Sequence, residues 1–329
     1  MDDRISIIVS TFNRRKKLKR LLDSLSTLRR PCPLEFIIID NCSDDGTEGI
    51  VRQWMATVKS AVVIYHVLPK RSPLVISRNA GIIMSTGSVI AFTDDDCVVD
   101  SRWIDLLYHR LVASPDLAGV GGKVLPCGND IYSQYYIINR VLEPPDHINA
   151  LIGANCMFWK QSVIEAGLFD VYFTELGGEE IALCMKLWVR GCRFGFEEQA
   201  IVYHNFRMGL KNFSRTFYRY GSGERLIYEN DPDRYLRFMK YPEQIYDHLA
   251  FRNLLLFQIV FTLRMTAGIF RQYAVHRSDN LTRKSRILLT GLYAVAHLSY
   301  HLGRGTFSGR FVKKIRKYLA KNPEVFLKV

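Results

Sequence analysis

Four short apolar runs in the first 93 residues, each separated from the next by a helical pattern or a turn, constrain this chain most. Ile5–Ser10, Leu34–Ile39, Ala61–Val67 and Ser88–Thr93 have the length and β-branched content of strands. After the first, Leu18, Leu21, Leu22, Leu25 and Leu28 recur at helical spacing until Pro31 and Pro33. Asp44-Asp45-Gly46-Thr47 after the second suits a turn that opens a helix, and a further helix is expected from near Pro73. Strands alternating with helices predict βαβ units and a mostly parallel sheet flanked by helices. In such open sheets ligands bind at the carboxyl ends of the strands.

The fourth run, Val89-Ile90-Ala91-Phe92-Thr93, leads straight into Asp94-Asp95-Asp96-Cys97. Three carboxylates at the end of a buried strand are costly without a cationic partner. Hard divalent cations such as Mg²⁺ and Mn²⁺ take carboxylates together with substrate phosphates. Alone, the acids fit either a metal–diphosphate site or a solvated turn. Thr11 and Asp40 stand at the ends of the first two strands, and that convergence favours the metal–nucleotide reading. No GxGxxG or GxxxxGK[ST] follows the first strand, which excludes a dinucleotide fingerprint and a Walker loop. Metal and arginine are then left to hold a diphosphate.

Four segments carry a resemblance: Ser6-Ile7-Ile8-Val9-Ser10-Thr11-Phe12-Asn13-Arg14, Ile38-Ile39-Asp40-Asn41 with Ser43-Asp44-Asp45-Gly46-Thr47, Arg78-Asn79-Ala80-Gly81, and Thr93-Asp94-Asp95-Asp96. In this order they resemble the family-2 inverting glycosyltransferases, and the resemblance covers about residues 4–225. It implies a GT-A, Rossmann-like fold, a nucleotide-diphospho-sugar donor and a divalent cation, Mg²⁺ or Mn²⁺. By the same resemblance Thr11, Asn13, Arg14, Asp40, Arg78, Asp94 and Asp95 are expected at the donor, and Asp96, Asp94 and His204 at the metal. Gly153 and Asn155, in Gly153-Ala154-Asn155-Cys156, are expected on the acceptor side. The family usually has Glu-Asp, with the Asp as general base, where this chain has Glu179-Glu180. By that register Glu180 is the expected base, with Glu179 its rival.

In the segment that follows, helical spacing predicts burial of Ile181, Cys184, Leu187 and Trp188, with both glutamates in the first turn. Phe213–Glu224, with Arg215 and Arg219, fits either a basic lip over the site or an amphipathic helix with solvated arginines. A nucleotidyltransferase that forms sugar nucleotides also uses acids on Mg²⁺, but would want glycines after the first strand. A non-catalytic sugar-nucleotide-binding protein would not need the two glutamates.

Charge divides the chain. Residues 231–329 hold 18 Lys and Arg against 6 Asp and Glu, so nearly all of the net +13 lies there. The division expected is a catalytic domain over 1–230 and a basic, apolar helical extension over 231–329. Asn253–Leu263 and Ile287–Gly303 lack Asp, Glu, Lys and Arg but fall short of the ~20 apolar residues of a spanning helix. The extension then either lies against an anionic membrane surface or caps the catalytic domain. Without a recognised motif, nucleic acid is not an expected partner. Seven cysteines with no CxxC, and an N-terminus that enters the first strand without a signal peptide, point to a cytoplasmic protein, peripheral at the inner face of the membrane. A saccharide or lipid-linked saccharide is the acceptor this suggests, in surface polysaccharide or glycolipid assembly.

Overall fold

The computed structural model describes residues 4–138, 150–173, 177–206, 209–238 and 283–306. Strands β1 (Ile5–Thr11), β2 (Leu34–Asp40), β3 (Val62–Val67) and β4 (Val89–Phe92) are joined by helices α1 (Arg15–Leu25), α2 (Thr47–Thr57) and α3 (Leu74–Met84). All their pairings are parallel. Side chains alternate between two cores, as a sheet covered on both faces requires. Ile5, Ile7, Val9, Phe36 and Ile38 face α1 and α2, while Ile8, Ile37, Ile39, Ile90 and Phe92 face α3. The four leucines of α1, at 18, 21, 22 and 25, are all buried, each contributing about 2 kcal/mol of apolar burial.

The sheet continues through β5 (Cys97–Val99), β6 (Leu117–Pro126), β7 (Cys156–Trp159) and β8 (Arg193–His204), in the order β3-β2-β1-β4-β7-β6-β8-β5. β7 runs antiparallel to both β4 and β6, and β5 antiparallel to β8. The sheet is therefore mostly parallel, with two reversed strands. Helix α4 (Trp103–Val112) covers the first core, and α7 (Glu179–Val189) the second. In α7, Leu183, Cys184 and Leu187 are fully buried, whereas Ile181 and Trp188, expected inside, are half-buried at the margins of the packed face.

Helices α5 (Ile131–Ile138), α6 (Lys160–Glu165), α8 (Leu210–Asn230), α9 (Pro232–Phe238) and α10 (Arg283–Thr306) complete the described chain. Phe213–Glu224 falls within α8, a helix with Arg215 and Arg219 on its exposed face. Phe213 and Phe217 of α8 pack with Tyr135 and Tyr136 in the first core, and Leu226, Ile227 and Tyr228 reach the second. Beyond residue 230, Tyr235 and Phe238 of α9 share the second core, and Leu289, Leu292 and Ala296 of α10 the first. A Cβ on Gly221 would overlap the Tyr300 carbonyl, so α8 and α10 touch backbone to backbone. The stretch Asn253–Leu263 and the basic run at 313–317 lie outside the described residues. Among the described residues, no helix is long and apolar enough to cross a membrane.

Candidate active site

The strand order reverses direction between β1 and β4, and the crevice beyond their carboxyl ends is where such sheets bind ligands. β1 extends three residues past its last partner pair, Ile8 and Phe92, and the acidic turn folds over that overhang. Thr11 Oγ1 donates to Asp95 Oδ2 at 2.8 Å, and the Cys97 amide closes the turn on the Asp94 carbonyl at 3.1 Å. Asp95 is 4 % exposed, and burial pushes its carboxyl up to about 6 against the pull of Arg14. Asp95 thus fixes the turn and turns away from solvent.

Asp94 and Asp96 meet a histidine from a distant strand. Because β5 pairs with β8 so that Cys97 opposes His204, the imidazole arrives beside the acids from 107 residues further on. His204 Nε2 lies 3.3 Å from Asp96 Oδ1 and 3.8 Å from Asp94 Oδ2, and its ring stacks on Phe206. Asp96 Oδ2 faces Lys17 Nζ at 3.0 Å and Arg14 Nη1 at 3.3 Å. Burial raises the Asp96 carboxyl, but His204, Arg14 and Lys17 together bring it below its ordinary value, so it stays ionised. Its Oδ1 is buried without a hydrogen-bond partner, and carboxylate oxygens with one imidazole suit Mg²⁺ or Mn²⁺. The residues present therefore fit a divalent cation. Cys97 Sγ is close enough to join them, but burial and the flanking Asp94 and Asp96 hold it as the thiol, a poor ligand for a hard ion.

Arg78 links these acids to the far wall of the crevice. It projects from α3 and is 5 % exposed, with Nη1 2.9 Å from Glu179 Oε1 and Nη2 3.4 Å from Asp94 Oδ1. Gly153 lies directly against the guanidinium, where a Cβ would crowd Nη2. Glu179 and Glu180 open α7 after Gly178, which holds φ 94°. Gly177 and Gly223 of α8 are in backbone contact, so α8 braces the turn that presents both acids. Glu180 Oε2 is buried without a hydrogen-bond partner. Burial foremost, then repulsion from Glu179, raises the Glu180 carboxyl to about 8 despite Arg78. Two consecutive acids thus have opposite states, one paired and one unpaired with a high proton affinity.

On the β1–β2 side the strand-end loops are knitted together. Asn13, at φ 51°, accepts the Asp44 amide on its side-chain oxygen and donates its own amide to Ser43 Oγ. The Arg15 amide donates to Asp45. Asp40 is 1 % exposed and accepts from the Ser43 amide at 2.8 Å and the Tyr65 hydroxyl at 2.6 Å.

Several of the residues expected at the site have partners within the protein. Thr11, expected at the donor, donates to Asp95 Oδ2, and Asp95 Oδ1 pairs with Arg14 at 2.8 Å. Asp40 presents no free face, and half-buried Tyr65 covers it. Asn155, expected on the acceptor side, is fully buried. Its Nδ2 donates to the Lys123 and Ala200 carbonyls at 2.9 Å each, and its Oδ1 accepts Trp103 Nε1 at 2.8 Å. The β6–β8 register slips from Gly122↔Glu197 to Lys123↔Ile201, and Asn155 supplies the partners that this bulge removes. Lys17 and Tyr65 are residues that sequence reasoning missed. Of these, Lys17 left a trace: the unbroken cationic run Arg14-Arg15-Lys16-Lys17 at the start of a helix.

Residues 6–166 match the profile of Glycosyl transferase family 2. The match ends before Glu179, Glu180 and His204. Chondroitin synthase of Escherichia coli is 26% identical over 249 residues, which cover 64% of this chain and 36% of that protein. Pre-mycofactocin glycosyltransferase of Mycobacterium tuberculosis is 22% identical over 241 residues, covering 70% and 48%. The chain spans less than half the length of most of the curated relatives it matches, these two included. A solved mannosyltransferase from Pyrobaculum calidifontis, in complex with GDP-Man and Mn²⁺, superimposes with a TM-score of 0.63 at 17% identity, over 91% of this chain and 86% of that one. Over residues 6–166 the chain is similar to glycosyl transferase family 2, and its fold is of the GT-A type.

Proposed function

We propose that this protein is a metal-dependent, inverting glycosyltransferase that moves a sugar from a nucleotide-diphospho-sugar to an acceptor hydroxyl. The observation that carries the reading is the pairing of two chemistries across one crevice. Asp94, Asp96 and His204 offer a hard-cation site on one wall, and unpaired Glu180 stands on the other, with Arg78 between them. The solved mannosyltransferase of like fold holds its nucleotide sugar together with Mn²⁺.

Asp96, Asp94 and His204 would hold the cation, which when bound supplies positive charge where the diphosphate departs. The side chains of this protein do the rest. Arg78 is fixed by Glu179 and Asp94 and presents a permanent charge toward the leaving group. Glu180 takes the proton from the acceptor hydroxyl. The acceptor oxygen bonds to the anomeric carbon from the face opposite the diphosphate, and the old C–O electron pair leaves on the phosphate. One displacement inverts the anomeric centre without a covalent enzyme intermediate. Glu179 serves as the anchor of Arg78 and Glu180 as the base.

The setting is the assembly of surface polysaccharide or glycolipid, on a saccharide or lipid-linked acceptor. Ile287, Leu288, Leu298 and Leu302 are exposed on α10, in the segment that carries most of the net positive charge, which supports contact with an anionic membrane surface. The test of the activity is a screen of nucleotide sugars with purified protein and Mn²⁺, reading release of nucleoside diphosphate. Release from at least one donor, lost on chelation, is the expected result. No release from any donor, with no thermal stabilisation by any of them, refutes the reading.

A further inference from the structure

Lys17 has a place in the site that neither the metal reading nor the base reading uses. Helix α1 begins Arg15-Lys16-Lys17 behind Arg14, with no acid in its first turn. Cations at the positive end of a helix are unfavourable, so this start opposes the helix it opens. The compensation is on the sheet: Lys17 Nζ reaches Asp96 Oδ2 at 3.0 Å. Arg14 is anchored differently. It lies closer to Asp95, at 2.8 Å, than to Asp96, at 3.3 Å, and Asp95 is locked to Thr11. Lys17 rests on Asp96, its stem is flexible, and its side chain is 33% exposed, so it has room to move.

The charges make the consequence specific. Four carboxylates, Asp94, Asp95, Asp96 and Glu179, lie against the three cations Arg14, Lys17 and Arg78, and of these cations Lys17 is the nearest to Asp96. A divalent cation entering this set competes with an ammonium for the same carboxylate. A diphosphate arriving with it brings new negative charge within reach of that ammonium.

We propose that Lys17 is a hand-over residue: it holds Asp96 while the site is empty and transfers to the donor's diphosphate when a cation takes Asp96. It thereby couples the binding of cation and nucleotide. The proposal rests on the donor-site reading above. Displacing Lys17 from Asp96 subtracts from the affinity for the cation alone, and capture of the freed ammonium by phosphate oxygens restores it. By reciprocity, the cation strengthens nucleotide binding by the same factor. Direct metal–phosphate attraction adds to this, so removing Lys17 reduces the coupling without abolishing it.

The experiment is calorimetric titration of Mn²⁺ into the full chain, alone and with saturating GDP or UDP, for the wild type, Lys17→Met, Lys17→Arg and Lys19→Met. Lys19 pairs with Asp23 on the exposed side of α1 and serves as the control. Lys17→Met is expected to bind Mn²⁺ alone about fivefold or more tightly, and to lose a comparable factor from the gain that nucleotide confers, the lower range of measured couplings. Lys17→Arg is expected to keep most of the coupling, and Lys19→Met to match the wild type. Far-ultraviolet circular dichroism establishes that each variant is folded. Unchanged or weaker Mn²⁺ binding by Lys17→Met, or an undiminished nucleotide gain, overturns the proposal while leaving the donor site intact. A wild type that binds Mn²⁺ in neither condition overturns the donor-site reading and this inference with it.

Discussion

Arg78 donates to Glu179 at 2.9 Å, and this buried ion pair separates two adjacent glutamates into different chemical roles. Glu179 is held beside a guanidinium, whereas the next residue along α7 has a buried oxygen with no partner. A proton acceptor needs a free lone pair aimed into the site and a proton affinity near the working pH. Glu180 has an unpartnered carboxylate oxygen and a raised proton affinity, which is what the proposed base requires.

The raised carboxyl of Glu180 gives a pH dependence with a definite sign. The unliganded protein holds Glu180 protonated below about 8 and ionised above it. Turnover at low donor concentration is therefore expected to rise with pH toward a plateau above 8. Glu179→Gln removes the repulsive neighbour, so the acid limb of the profile moves to lower pH. A limb that stays in place in that variant excludes Glu180 as the group it reports.

The same shift has a stability consequence. Between the ordinary glutamate value of 4.5 and about 8, the folded state retains a proton that the unfolded state has released, so stability falls as pH rises through that window. Glu180→Gln abolishes this penalty. Its melting temperature is expected to exceed that of the wild type at pH 8 and to converge with it near pH 4.5, by differential scanning fluorimetry.

Breaking the buried pair from the other side is costly. Arg78→Met leaves Glu179 and Asp94 without their cation and is expected to lose about 3–5 kcal/mol of stability, measured by urea unfolding. Arg78→Lys keeps the charge but cannot span both acids with one planar fork, and is expected to fall between the two.

Asn155→Leu tests whether that residue serves the bulge or the acceptor. It removes the partners of two buried carbonyls and of the Trp103 indole, so a loss of at least about 2 kcal/mol is expected. The KM for the donor in the folded fraction should not change. A raised KM for acceptor with unchanged stability would return Asn155 to the acceptor wall.

Much of this architecture was readable from the chain. The continuous apolar runs of β1 and β2, and the leucine spacing of α1, are local signals, and the strands and helix stand where they predict. Asp94 and Asp96 were legible because a buried strand rarely ends on acids without a cation. What stayed hidden depends on distant pairing. Thr11 and Asp95 are 84 residues apart, and nothing near either shows that they face each other. Asn155 was expected at the site through the resemblance of its segment, whereas the hydrogen bonds it makes answer a bulge between β6 and β8 that emerges only from their register. Lys17 lies one turn down α1, and its contact follows from a long side chain pointing back toward the helix start. The choice between Glu179 and Glu180 needed the location of Arg78.

The most direct test of the central claim is release of nucleoside diphosphate from the best nucleotide-sugar donor, comparing wild type with Glu180→Gln, each with Mn²⁺ and with chelator. The account predicts turnover by the wild type only with Mn²⁺, and a loss of at least about a hundredfold in Glu180→Gln, with calorimetric affinity for nucleotide and Mn²⁺ within about twofold of wild type. Undiminished turnover by Glu180→Gln would contradict it.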